Sequence, residues 1–198
     1  MVKKLNRLKR LKGKVKKVIL GIGTNKGDRK KNIALALKLL DESNSTNVLK
    51  ISRMLKNPPE EGVRGGYFLN GAVLLLTSLS PLGLFKLCKE IEKRMGRKRI
   101  GETARRRDGE TAYRRIGELA NQQRKTSRTI DLDILFYEDK IMRTKNLKIP
   151  HPMLHKRYFV LIPLMDIAKS YVHPIFKKTI RELYTDKHEK LSKRSVKV

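Results

Sequence analysis

The chain has no tryptophan, one cysteine, 6% aromatic residues and 19 acidic side chains against 48 lysines and arginines. Each shortage excludes something. A lone Cys88 forbids an internal disulfide, and with scattered histidines it makes no zinc site, which needs clustered ligands. Cysteine use of this kind fits a reducing compartment, so a cytoplasmic location is expected. Cys88 falls on the apolar stripe of a predicted helix, where a thiol packs as a small hydrophobe rather than acting as a nucleophile. The low aromatic content and the absence of an RNP-like aromatic run speak against base-stacking RNA recognition. No apolar run approaches the roughly 20 residues needed to cross a bilayer, so no membrane role is expected. Walker A, Gly-x-Ser-x-Gly and kinase His-Arg-Asp sequences are all missing.

What is present is 198 residues, 39% hydrophobic and 34% charged, enough for one globular domain with a sizeable core. The formal charge of +29 calls for polyanionic partners: nucleic acid, acidic membranes or phosphorylated small molecules. That charge is uneven. Residues 1–17 hold nine Lys or Arg and no acid, with Leu5, Leu8 and Leu11 at three-residue spacing. A short amphipathic helix is one reading; a solvated basic arm is the one preferred. No apolar region follows the charges, which argues against a secretory signal. A Lys-rich, Ser-free stretch is also a poor mitochondrial presequence. Residues 18–187 read as the folded domain, and 188–198, with His188 at its start, as a frayed basic tail.

Along the domain, Val18 to Gly23 is an apolar strand running into Gly21-Ile22-Gly23-Thr24-Asn25, a weak phosphate-loop pattern at best. Asp28 is a natural N-cap for a helix striped by Ile33, Leu37 and Leu40. Asn47 to Leu55 reads as a second strand. Asn57-Pro58-Pro59 through Gly66 is a loop, either an ordinary connection or a lid beside a site. Phe68 to Thr77 is a third strand with a polar Asn70 inside it, which must find partners. Ser80-Pro81 opens a helix striped by Leu84, Cys88, Ile91 and Met95, and Gly96 stops it. Glu92 sits near that helix's C-terminus, the wrong end for a carboxylate, so another group must hold it. Residues 97–127 form a long arginine-rich loop with a local echo: Gly101-Glu102-Thr103-Ala104 recurs as Gly109-Glu110-Thr111-Ala112. Glu138-Asp139-Lys140 is a turn, Ile141-Met142 a short strand, and Phe159 to Ala168 a buried helix. His155 and His173 read as surface residues.

The chemistry concentrates in Arg128-Thr129-Ile130-Asp131-Leu132-Asp133-Ile134-Leu135-Phe136. On a strand Asp131 and Asp133 share a face, their Cα atoms roughly 6.5–7 Å apart, while Ile130, Leu132 and Ile134 take the other. Two neighbouring carboxylates repel unless a cation or water lies between them. Mg²⁺ takes one or two carboxylates and fills its shell with phosphate oxygens and water, and Arg128 is placed to clamp a phosphate. The same pattern also suits a strand with one face in water. The residues themselves point no further than Mg²⁺-assisted phosphoryl transfer with arginine clamps.

Six elements in order resemble the 6-hydroxymethyl-7,8-dihydropterin pyrophosphokinase family. They are Gly21 to Asn25, Asn57-Pro58-Pro59, Phe68 to Ala72, Ile91-Glu92 with Gly96 to Arg99, Ser127 to Leu135, and Ile149-Pro150-His151-Pro152 with Arg157 and Phe159. The match runs from about Val18 to Tyr184. The resemblance implies an α+β fold, ferredoxin-like, with a mainly antiparallel central sheet flanked by helices. It implies transfer of diphosphate from ATP to the pterin hydroxymethyl oxygen, with release of AMP. By the same resemblance, Asp131 and Asp133 hold two Mg²⁺ ions. Phe68 and Phe159 sandwich the pterin, Asn70 bonds its ring, and Asn57, Pro58 and Pro59 line its loop. Arg97, Arg128, His151 and Arg157, with Arg99, surround the ATP phosphates, and Glu92 lies near the nucleotide. A monomer is expected, with small-molecule partners and no specific nucleic acid. The chain departs from the family pattern at Thr126, where Gly or Ala is usual, and at Lys89, where Gln is common. Asn146 and Lys148 replace familiar nucleotide-side residues, the loop tryptophan is missing, and loop 97–127 is enlarged. The competing expectation is a basic, ferredoxin-like RNA-binding protein without catalysis.

Overall fold

A computed structural model describes residues 14–59, 66–96 and 128–195, with side chains described as far as residue 189. The basic arm up to residue 13, part of the loop after Pro59, and loop 97–127 with Arg97 and Arg99 lie outside the described residues.

The sheet is built on β1 (Lys16–Thr24). It pairs antiparallel with β4 (Phe68–Thr77) on one side and β5 (Asp131–Tyr137) on the other. Beyond β4 lie β2 (Thr46–Ile51) and β3 (Leu55–Asn57), both antiparallel to it. The strand order is therefore β2-β4-β1-β5, which leaves β5 as an edge among the described strands. A two-stranded ribbon follows, β6 (Met142–Arg143) and β7 (Lys148–Ile149). The Ile149–Pro150 peptide bond is cis.

Two helices cover one face of the sheet. In α1 (Arg29–Glu42) the Asp28 carboxylate caps the N-terminus, accepting from the Lys31 N–H at 3.0 Å. In α2 (Pro81–Arg94) the Ser80 hydroxyl accepts from the Gly83 N–H at 3.2 Å, and Gly96 ends the turn at φ +90°. Ile33, Ala36 and Leu40 of α1 and Leu84, Cys88 and Ile91 of α2 pack on Val18, Leu20, Ile22, Leu132 and Ile134. Cys88 is fully buried, as its place in the stripe implied, and burial pushes its thiol up to about 12. The opposite face carries Ile19, Ala72, Leu135 and Phe136. It is covered by Leu161 and Leu164 of α3 (Tyr158–Ala168) and Ile180 and Leu183 of α4 (Ile180–Ser195).

The expected strand from Asn47 to Leu55 is two strands. The break follows Ile51, where the Ser52 hydroxyl accepts from the Ala72 N–H at 2.9 Å; a register shift between Val48 and Lys50 lies inside the first of them. Met54 then lies across Gly71, where an added Cβ would sit 2.6 Å from its sulfur. The short strand expected at Ile141-Met142 forms one residue later. His173 is not at the surface: it is 2% exposed. Its Nδ1 accepts from the N–H groups of Ile175 at 3.2 Å and Phe176 at 3.3 Å, and its ring meets Phe136 edge-on at 5.4 Å. His155 is half-buried, its ring 4.7 Å from that of Phe176. The region expected to fray after residue 187, including His188, is helical through Ser195. Its start is a reciprocal cap. The Thr179 hydroxyl accepts from the Glu182 N–H at 3.2 Å, and the Glu182 carboxylate accepts from the Thr179 N–H at 2.7 Å.

Candidate active site

Three strands meet in one row at Gly23. Its neighbours are Asn70 on β4 and Asp131 on β5, and Gly21 likewise lies between Ala72 and Asp133. Residues opposite one another across a ladder share a face, so Asn70, Asp131 and Asp133 project from the same side of the sheet. The two glycines clear the ground between them. An added Cβ at Gly23 would fall 2.4 Å from the Asn70 Oδ1, and one at Gly21 3.4 Å from Leu135. Gly23 therefore serves close packing of Asn70, while Gly21 faces Leu135.

Asn25 fixes the approach to β5. Its side-chain oxygen accepts from the Arg128 N–H at 2.5 Å, and its own N–H donates to the Arg128 carbonyl at 3.1 Å. Its Nδ2 is a buried donor with no partner among the described residues. The Arg128 guanidinium pairs with the Asp131 carboxylate. Asp133 is held differently: burial, then the nearby Asp131 charge, raises it to about 6, against the pull of Lys89 and Arg128.

Because β5 is an edge, its outward N–H groups need partners from elsewhere. The Leu132 N–H donates to Glu92 Oε1 at 2.9 Å, and that same oxygen accepts from the Lys89 ammonium at 2.7 Å. This is the group that holds Glu92 against the helix dipole. The His151 N–H donates to the Leu135 carbonyl at 3.0 Å. Asp133 and His151, with Phe85, Lys145, Asn146 and Lys148, line a cavity of about 230 Å³ along that edge. The His151 Nδ1 accepts from the Met153 N–H at 3.3 Å, which leaves Nε2 as the proton-bearing nitrogen. Burial, then the charge of Arg157, lowers His151 to about 4, so the ring is neutral at pH 7. A wider cavity, about 520 Å³, lies at the other end of β1 by Lys17, Phe136 and Tyr171.

The expected pterin-side residues gather at the β3–β4 rim. The Asn70 Nδ2 donates to the Asn57 Oδ1 at 2.7 Å, and the Asn57 Nδ2 to the Pro58 carbonyl at 2.8 Å. Phe68 is half-buried and directly opposite Asn57, and Pro59 follows Pro58 out of β3. Phe159 is the second residue of α3, which packs on β3 and β4, and the Arg157 guanidinium lies 5.5 Å from its ring. Sequence reasoning missed Asn25 as the anchor of Arg128 and Lys89 as the partner of Glu92. The i, i+3 spacing of Lys89 and Glu92 was a usable signal for the second. Among the described residues no three His, Cys, Asp or Glu side chains are grouped to hold a metal ion.

The profile of the 7,8-dihydro-6-hydroxymethylpterin-pyrophosphokinase family matches residues 19–169. The chain belongs to this family. It is 36% identical over 165 residues to the 2-amino-4-hydroxy-6-hydroxymethyldihydropteridine pyrophosphokinase of Aquifex aeolicus, covering 83% of this chain and 88% of that protein. The Bacillus subtilis protein of the same name is 32% identical, with 76% and 77% covered. The folic acid synthesis protein FOL1 of Dictyostelium discoideum is 33% identical over 79% of this chain, which spans only 20% of that longer protein. Among solved structures, the fold matches Plasmodium falciparum HPPK-DHPS with pteroate at TM-score 0.61 and 18% identity, covering 87% of this chain and 42% of that one. The pyrophosphokinase family thus occurs both alone and inside larger chains.

Proposed function

We infer that this chain transfers diphosphate from ATP to the hydroxymethyl oxygen of 6-hydroxymethyl-7,8-dihydropterin and releases AMP. The observation that carries this reading is the Gly23 row, which sets an amide-lined rim and a carboxylate pair on one face of one sheet. Family membership and the names of the relatives support the same reaction.

In this reading the pterin lies between Phe68 and Phe159, its flat ring suited to aromatic faces. Asn70, oriented by Asn57, bonds the ring edge, with Pro58 and Pro59 shaping the rim. The carboxylates of Asp131 and Asp133 fit a divalent cation: they repel one another, both are half-buried, and among the described residues no third His, Cys, Asp or Glu joins them in a metal-binding group. Such a site suits Mg²⁺, which draws most of its shell from water and phosphate. We assign Asp131 and Asp133 to two Mg²⁺ ions, which when bound neutralise phosphate charge and polarise the β-phosphoryl group. The Nε2–H of neutral His151 donates a hydrogen bond to a phosphate oxygen. Arg157 and Arg128 neutralise charge, Arg128 exchanging its contact with Asp131 for one with phosphate; Arg97 and Arg99 join them from the adjoining loop. Attack then falls on the β-phosphorus: the pterin hydroxymethyl oxygen bonds to it, the bond from that phosphorus to the α,β-bridging oxygen breaks so that the oxygen leaves with AMP, and the hydroxyl proton passes to solvent. Glu92 steadies the β5 edge on the nucleotide side.

The order of the four long strands and two crossing helices supports a ferredoxin-like arrangement. We further assign the chain a cytoplasmic, monomeric existence, with the basic arm expected at 1–17 giving way to β1 at Lys16 and the catalytic domain expected at 18–187 running on through α4. The test is direct. Protein incubated with ATP, Mg²⁺ and the hydroxymethyl dihydropterin is expected to yield AMP, and Asp131→Ala or Asp133→Ala to abolish it without unfolding the chain. Formation of ADP instead, or tight RNA binding with no AMP, would refute the assignment.

A further inference from the structure

The ion pair between Lys89 and Glu92 has the i, i+3 spacing of an ordinary surface pair, but it is not at the surface. The Lys89 side chain is 23% exposed and that of Glu92 2%. One oxygen of Glu92 takes both the Lys89 ammonium, at 2.7 Å, and the Leu132 N–H, at 2.9 Å. Leu132 is the residue between Asp131 and Asp133. A single helix side chain therefore reaches the backbone that carries both carboxylates, and the Lys89 ammonium pairs with its charge. Lys89 also lies within electrostatic reach of Asp133, together with Glu92, Asp131 and Arg128. The Arg128 guanidinium is engaged with Asp131. The aromatic face of Phe85, 5.4 Å from the Lys89 ammonium and itself on the wall of the Asp133 cavity, holds the lysine stem on this side of the helix.

We propose that Lys89 is a fixed internal cation of the metal site, a positioning residue that offsets the charge of Glu92, Asp131 and Asp133 and, through Glu92, holds the peptide between the two aspartates. The proposal rests on the carboxylate pair being the metal site. Its physical content is a trade. A fixed positive charge beside three carboxylates weakens their attraction for a divalent ion and strengthens the site's attraction for a polyphosphate anion. An ammonium lost from this position therefore moves the two affinities in opposite directions. A purely structural role cannot do that, because a loosened β5 would weaken both.

The experiment uses Mn²⁺, read by the loss of its free-ion electron paramagnetic resonance signal, and a non-hydrolysable ATP analogue titrated without metal in a calorimeter. The full chain is compared with Lys89→Gln, which keeps a hydrogen-bond donor for Glu92 without the charge, and with Lys89→Arg, which keeps the charge. For Lys89→Gln the Mn²⁺ affinity is expected to rise and the metal-free analogue affinity to fall, each on the order of tenfold, as one partly screened charge allows. Lys89→Arg is expected to stay within about twofold of the parent in both, a shift too small to register as a lost charge. Should Lys89→Gln fail to fold, Lys89→Met measured in the same way replaces it. Both affinities falling together, or neither moving, would overturn the proposal. An Asp133→Asn control separates the two levels. Unchanged Mn²⁺ binding in that variant, or no binding in the parent, would remove the metal-site reading and Lys89's role with it, whereas a normal control with an inert Lys89→Gln removes only the latter.

Discussion

At the scale of single residues, the site depends on a side chain that is absent. Gly23 lies opposite Asn70, whose side-chain oxygen fills the space a Cβ would take, at 2.4 Å. In Gly23→Ala the Asn70 amide must swing away, which breaks its 2.7 Å bond to Asn57. Overpacking of this kind costs about 1–3 kcal/mol, measurable by urea unfolding. The kinetic expectation is more specific. The KM for the pterin rises while the KM for ATP moves much less, and equal effects on both would show that Asn70 does not serve the pterin side. The pairing of Asp131 with Asp133 was legible from a period of two alone, since strand geometry fixes the face of every second residue. The backbone partner of Glu92 was not. Leu132 lies 40 residues away, and its N–H needs a partner only because β5 ends up at the sheet edge. That is a fact of tertiary topology, which no local pattern carries.

At the scale of elements, sequence worked best where caps and apolar stripes agreed. Asp28, Ser80-Pro81 and Gly96 all bound the helices that their chemistry implied. The second strand was misjudged because no Gly or Pro punctuates Asn47 to Leu55, while the break comes from Ser52 competing for the ladder. The C-terminal helix was missed for a different reason. Its polar composition resembles a tail, and the signal lay just outside it, in the Thr179-x-x-Glu182 box. Helix α4 matters because Ile180 and Leu183 close the second core over Phe136. Thr179→Ala is therefore expected to cost about 1 kcal/mol as a lost cap, and Leu183→Ala about 2–5 kcal/mol as a core truncation. Both are read from denaturant midpoints. If Leu183→Ala were silent, α4 would be an appendage and the domain would end near residue 179.

At the scale of the whole molecule, the net charge of +29 spoke loudly for a polyanion and left its identity open; membership of the pyrophosphokinase family favours a small phosphorylated substrate. The same excess of positive charge bears on how the fold responds to acid. His151 and His173 are both held near 4, in each case chiefly by burial, with Arg157 adding to the effect at His151 and His155 at His173. Their ordinary value is about 6.5. As pH falls from about 6.5 to 4, the unfolded chain takes up protons at these two sites that the folded chain refuses. Stability from this source is therefore complete above about 6.5 and drains away through that window. Beside burial, the geometry at His173 disfavours the second proton: on Nδ1 it would face the Ile175 and Phe176 N–H groups that now donate to it. Urea unfolding at intervals from pH 7.5 to 4.5 is expected to show stability falling with pH. His173→Asn, which keeps an acceptor and cannot be protonated there, is expected to remove about one proton from the slope. An unchanged slope in that variant would mean that His173 titrates normally in the folded protein, and that the turn closing over Phe136 is open to water.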